Sequence, residues 1–217
     1  MRQNFFYFIV AAVLIMGCGG RGGNNVGSGD SDLYKIKLTT EADGKIILGI
    51  VGSGVATIDW GDGSEKDELT ISKKWPQFEH TYQSASTRTI TVTGDSITGF
   101  GCSNSGITSL DVSRCTQLTV FGCYDNQLTS LDVSKNLALT YLKCTNNQLT
   151  SLDLSKNTAL TTLDCENNQL SFDALNALFG TLSGNSVEGE KKINIRNNPG
   201  EESFDKSIAE NKGWSLQ

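Results

Sequence analysis

Histidine is nearly absent: the 217-residue chain has one, His80. That excludes multi-histidine metal centres and leaves a histidine-based catalytic triad unsupported. Basic side chains are also in deficit, 18 Lys and Arg against 24 Asp and Glu, for a formal charge of −6. A nucleic-acid partner is excluded on that balance, because its phosphates need a basic patch. Proline is scarce, with 2 residues, and charged residues reach only 19%. Together with abundant Asn, Thr, Ser and Gly, this points to β-structure. The 6 cysteines include no Cys-x-x-Cys pair, the short spacing that redox and zinc motifs use. No apolar run approaches the roughly 20 residues that span a membrane. The length leaves room for one large domain or two small ones.

What is present begins with an address. Arg2 and the free amine precede twelve apolar residues, Phe5 to Met16, the pattern of a secretory signal. Leu14-Ile15-Met16-Gly17-Cys18 resembles a bacterial lipobox. The resemblance implies a signal peptide over 1–17 and acyl chains on Cys18, which would anchor the chain to a membrane. The expected location is across the inner membrane, lipid-anchored at the outer membrane or cell surface. Residues 18–32 form a Gly-rich tether with too little apolar matter to pack.

Residues 33–96 read as short strands. Tyr34, Ile36 and Leu38 alternate with Lys35, Lys37 and Thr39, the period of a half-buried strand. Asp43-Gly44 predicts a hairpin turn into a return strand over 45–51. Gly52-Ser53-Gly54 predicts a break before a third strand over 55–60, and 87–93 predicts a closing strand. The Gly49-x-x-Gly52-x-Gly54 run lacks the following helix that a phosphate loop requires. Ile58-Asp59-Trp60-Gly61-Asp62-Gly63-Ser64, with His80-Thr81-Tyr82 and Thr89-Ile90-Thr91-Val92, resembles the PKD-type immunoglobulin-like module. The resemblance implies a small immunoglobulin-like β-sandwich acting as a spacer or binding platform, with His80 packed rather than catalytic. Asp59, Asp62 and Glu65 leave a weak calcium site open, although six to eight oxygen ligands are wanted and turn chemistry explains these carboxylates as well.

Residues 97–169 repeat with a period of 21. Ile107 to Gln127 is followed by two close copies, Leu128 to Gln148 and Leu149 to Gln169, and 97–102 is a partial copy. Leu139, Leu142, Cys144, Asn147 and Leu149 show the string L-x-x-L-x-C-x-x-N-x-L of a leucine-rich repeat. Cys102, Cys123, Cys144 and Cys165 therefore stack as a ladder inside a solenoid, reduced, because in-register side chains seldom reach the roughly 90° torsion of a disulfide. Asn126, Asn147 and Asn168 sit where the chain turns and can bond unpaired backbone of adjacent coils. Asn136 and Asn157 form a second structural column, and Cys115 replaces its first member. Such repeats resemble those of the internalin J group, whose members are adhesins that use the strand face for contact.

After Gln169 the period breaks into a C-terminal cap, 170–217. Ser171 can cap a helix with Leu175, Leu178, Phe179 and Leu182 as its apolar stripe. A further strand over 193–198 and a helix over 203–211 follow, with Trp214 covering the last coil. The expected fold class is mainly β: a small sandwich, a short leucine-rich solenoid and a helix-containing cap. Alternation places the binding face outward: Val120, Tyr124, Tyr141, Lys143, Thr145, Thr162, Asp164, Glu166, Lys192, Asn194 and Arg196. Tyr124 and Tyr141 are expected as adjacent exposed rings that stack on a sugar or peptide. The expectation is a monomeric, non-catalytic binding or adhesion protein for a protein or glycan, without cofactor or metal. The alternative is a structural spacer or accessory subunit of an envelope complex.

Overall fold

The computed structural model describes residues 34–185 and 189–217. The expected signal peptide, lipid-bearing Cys18 and Gly-rich tether lie outside the described residues. Strand β1 (Tyr34–Thr40) follows the alternation of its sequence, with Ile36 and Leu38 fully buried. Next come β2 (Gly44–Asp59), β3 (Asp67–Ile71), β4 (Gln77–Tyr82) and β5 (Arg88–Gly101). The expected hairpin between β1 and β2 does not form. β1 pairs antiparallel with the first half of β5, from Tyr34 opposite Gly94 to Thr40 opposite Arg88. β2 instead pairs with β3, β4 and β5. The Asp43-Gly44 turn is local, whereas each strand's partner is chosen by the long β5.

β2 is one strand of 16 residues, not two. Its register against β5 shifts between Val51 and Gly52 and between Ser53 and Ala56. A bulge of this kind bends a strand without ending it. Glycine is required there: a Cβ on Gly52 would lie 1.8 Å from the Ser96 carbonyl oxygen. β5 is likewise long, and its two ends serve different partners. Residues 88–94 face β1, and 99–101 pair in parallel with β7 (Val120–Gly122), after β6 (Ile107–Asp111) has paired antiparallel with β1. The boundary expected between residues 96 and 97 therefore falls inside β5. Among the described residues no separate immunoglobulin-like sandwich closes off; the N-terminal strands and the repeats share one 11-stranded hydrogen-bonded network.

The 21-residue period then builds a parallel ladder. β8 (Tyr141–Lys143) and β9 (Thr162–Asp164) align rung on rung with β7. Helix α1 (Phe172–Thr181) opens at Ser171, whose hydroxyl accepts from the Ala174 amide, and buries Leu175, Leu178 and Phe179 as its spacing predicts. β10 (Lys191–Asn194) continues the ladder. The last helix, α2, is only Ser207–Glu210, because Asp205 turns the chain by accepting the Ser207 amide and hydroxyl. Sequence reading misses a sixth parallel rung, β11 (Trp214–Leu216), which pairs with β10. Trp214 is buried within that rung and covers the last coil, as expected.

Asp32–Gln217 packs as one compact unit. Its core runs unbroken from Ile36 and Ile58 through Phe100, Phe121, Leu142 and Leu163 to Ile193 and Trp214. Each fully buried aliphatic side chain contributes roughly 1.5–3 kcal/mol relative to exposure.

Candidate functional site

The outward face exists because the inward columns hold the coils in register. Cys102, Cys123, Cys144 and Cys165 are free and fully buried, one above another. Burial alone pushes the Cys102 thiol above its usual range, and the thiols of Cys123, Cys144 and Cys165 rise with it for the same main reason. They are apolar filler in reduced form. Cys115 is buried too; its thiol, pushed up to about 12 chiefly by burial, faces the Lys35 carbonyl of β1.

The asparagine columns bind coil to coil as their position predicts. The Asn147 amide donates to the carbonyls of Cys123 at 2.9 Å and Cys144 at 3.0 Å, while its oxygen accepts from the Leu128 amide at 3.0 Å. Asn126 and Asn168 repeat this pattern. Asn198 extends it into the cap, accepting from Leu170 and donating to Cys165 and Ile195. Ser105 occupies the first position of the column, where no complete coil precedes. In the second column Asn136 donates to Val112 and Cys115, and Asn157 to Val133 and Asn136.

A third column escapes the sequence reading. Asn104, Asp125, Asn146, Asn167 and Asn197 all adopt left-handed backbone, with φ from 51° to 57°. Asn and Asp tolerate that region best among residues with a Cβ. Their exposed side chains link into a chain, Asn146 donating to Asp125 and Asn167 to Asn146. The signal was the recurring pair, Asp125-Asn126, Asn146-Asn147, Asn167-Asn168 and Asn197-Asn198, in which the first member turns and the second bonds.

On the outward side the expected residues share one face, but not all stand free. Val120, Tyr124 and Thr145 are each only 8% exposed. Tyr124 and Tyr141 are therefore not two open rings. The Lys143 ammonium lies 5.3 Å from the centre of the Tyr124 ring and covers it, and Tyr141 is half-buried. Burial raises the pKa of both phenols, with the Ser103 hydroxyl opposing it at Tyr124 and Lys143 opposing it at Tyr141. Lys143 pairs with Asp164 at 3.0 Å. Burial disfavours its charge, yet the Asp164 carboxylate outweighs this and raises its pKa. Glu166 accepts from Asn194 at 2.9 Å and Asn197 at 3.1 Å. Lys192 pairs with Glu190 at 3.1 Å. Thr162 and Asn194 are half-buried and Arg196 is exposed.

Trp75, in the loop between β3 and β4, joins this face unforeseen. A Cβ on Gly99 would meet its ring at 3.1 Å, so the indole rests on the first rung where glycine leaves room. Nothing in the local sequence marks that contact, because it depends on the β2–β5 bend.

The motifs of the N-terminal strands meet one another instead of the face. Trp60 stacks on His80 at 4.9 Å between ring centres, and the Tyr82 hydroxyl donates to the Trp60 carbonyl at 2.5 Å. His80 lies 2.7 Å from the Asp62 carboxylate. Asp62 is held well below the usual carboxylate range by the Ser64 hydroxyl and amide and by His80. Asp59 is lowered by its bond to Lys66 and by the Gly61 amide. These carboxylates thus build turns. Among the described residues, no group of three or more His, Cys, Asp or Glu converges to hold a metal, and no helix is long and apolar enough to cross a membrane.

These features define a leucine-rich solenoid with cysteine and asparagine columns inside and a mixed sheet face outside. No protein-family model matches the chain, and no curated protein matches it. Among solved structures it is similar to the functional domain of InlJ from Listeria monocytogenes, which includes a cysteine ladder. Identity is 37%, over 55% of this chain and 24% of that one, with a TM-score of 0.43. The chain thus spans about a quarter of that structure's length.

Proposed function

We propose that this chain is a non-catalytic binding or adhesion protein of the cell surface or outer membrane. It is anchored by lipid at Cys18 and meets a protein partner with its outward strand face. One observation carries the reading. Inward positions repeat from coil to coil, as Cys102, Cys123, Cys144 and Cys165 do, whereas outward positions vary along the ladder, Gly101 and Gly122 excepted. One outward column runs Gly99, Val120, Tyr141, Thr162, Lys192, and the next Gly101, Gly122, Lys143, Asp164, Asn194. Packing against neighbouring coils fixes the interior. The outward side is free of that demand, and a varied surface is what discrimination between partners requires.

The test joins location and contact. Protease shaving of intact cells should remove the chain, and Cys18→Ala should release it from the membrane fraction. Full-length chain in detergent is then applied to glycan and host-protein arrays. Tyr141→Ala combined with Thr162→Glu should abolish binding to any partner found; unchanged affinity would move the contact off this face. Stable co-purification with one envelope complex, indifferent to both substitutions, would assign the spacer role instead.

A further inference from the structure

The charges of the strand face are sorted by whether they already have a partner. Asp164 is committed to Lys143 and Glu190 to Lys192. Glu166 is held by the amides of Asn194 and Asn197, and Asp125 accepts from Asn146. Three cations of this region, Lys73, Lys74 and Arg196, enter no ion pair among the described residues. Arg196 stands exposed beside the β10 rung. Lys73 and Lys74 stand exposed immediately before Trp75, whose indole covers Gly99 on the β5 rung. Half-buried Tyr141 lies between these ends. In a chain of net charge −6, the uncommitted charge at both ends of the face is positive.

We propose that the face binds an extended acidic polypeptide segment. Its carboxylates meet Arg196 at one end and Lys73 with Lys74 at the other, and an apolar side chain between them rests on Trp75 and Tyr141. This rests on the reading of the face as the contact surface. From β5 to β10 is four strand spacings, roughly 19 Å at about 4.8 Å each, which about six extended residues cover. The guanidinium fork suits carboxylates bidentately. A polypeptide fits better than an acidic glycan, because Lys143 covers Tyr124 and Tyr141 is half-buried. A sugar ring stacks on an open aromatic platform, and these two rings do not supply one.

The experiment uses labelled synthetic hexapeptides with Glu at both ends and each apolar residue in turn at the centre. Fluorescence anisotropy is read against the full chain in detergent at low and physiological salt. Binding should weaken with salt, since the contacts are exposed. It should fall roughly tenfold with Arg196→Glu and again with Lys73→Glu plus Lys74→Glu, while thermal unfolding stays unchanged because all three side chains are exposed. Equal affinity for Gln-for-Glu peptides, no acidic peptide bound at low salt, or indifference to Arg196→Glu overturns the proposal. Binding of oligogalacturonate but no peptide overturns the assignment to a polypeptide. A neutral array ligand that is lost on Tyr141→Ala yet indifferent to Arg196→Glu sinks this proposal while leaving the face as the binding surface.

Discussion

Replacing Asn147 and Asn126 by alanine separates two ways of valuing the buried amide column. Counting bonds makes them nearly equal: Asn147 makes four, to Leu128, Cys123, Cys144 and Thr145, and Asn126 five, to Ser105, Ile107, Cys102, Cys123 and Tyr124. Counting the groups left without a partner separates them. After Asn147→Ala the Cys123 carbonyl still accepts from Asn126 and the Cys144 carbonyl from Asn168, and Thr145 still accepts from the Asp125 amide. The Leu128 amide loses its side-chain partner. One buried orphan costs about 1–3 kcal/mol. Asn126 stands at the top of the column, where Ser105 replaces a further Asn. Its loss strips the Ser105 and Ile107 amides and the Cys102 carbonyl, which no second amide of this column serves. The expected cost is roughly two to three times larger on the same scale. In a chain of this size each kcal/mol lowers the melting temperature by about 2–4 °C. Urea titrations with unchanged slope should show the ordering as separated midpoints. Equal losses, or a larger one for Asn147→Ala, would refute the orphan argument.

Three further outcomes follow from the packing. The five described cysteines should resist a thiol reagent in the native state and react only on unfolding, because each is buried with a raised pKa. A raised folded pKa favours the neutral thiol in the fold, so this stability is complete below the unfolded thiol pKa of about 8.5 and declines as pH rises above it; a denaturation midpoint flat from pH 8 to 10 would contradict this. Gly99→Leu should displace Trp75. Trp60 and Trp214 are buried, so increased acrylamide quenching of tryptophan fluorescence would report the release, and unaltered quenching would place the indole elsewhere.

The 21-residue period made the solenoid legible, because every coil solves the same packing problem with the same residues. Leu142, Cys144 and Asn147 are read correctly from one copy and confirmed by the next. Helix α1 is legible for a local reason, its cap at Ser171 and its apolar stripe. Where pairing is decided at long range, local signals mislead. Asp43-Gly44 looks like a hairpin, yet β1 and β2 do not pair with each other and instead both pair with β5, which they share over 91–94. Gly52-Ser53-Gly54 looks like a break, yet it is the bend that lets β2 follow β5. The face was legible in outline from alternation. Its accessibility was not, because the reach of Lys143 over Tyr124 and of Trp75 onto Gly99 depends on side chains brought in from other rungs and loops.

β5 belongs to the antiparallel strands at its start and to the solenoid at its end. Repeat arrays ordinarily lose their terminal units first, since those have one neighbour instead of two. Here the N-terminal unit cannot peel away without tearing a strand that β1 and β2 also hold, so opening begins at β11 and travels inward. Amide exchange would then be graded along the parallel ladder, fastest at Trp214–Leu216 and slowest near Phe100. The polypeptide carries a direction of unravelling, written by a single strand with two allegiances.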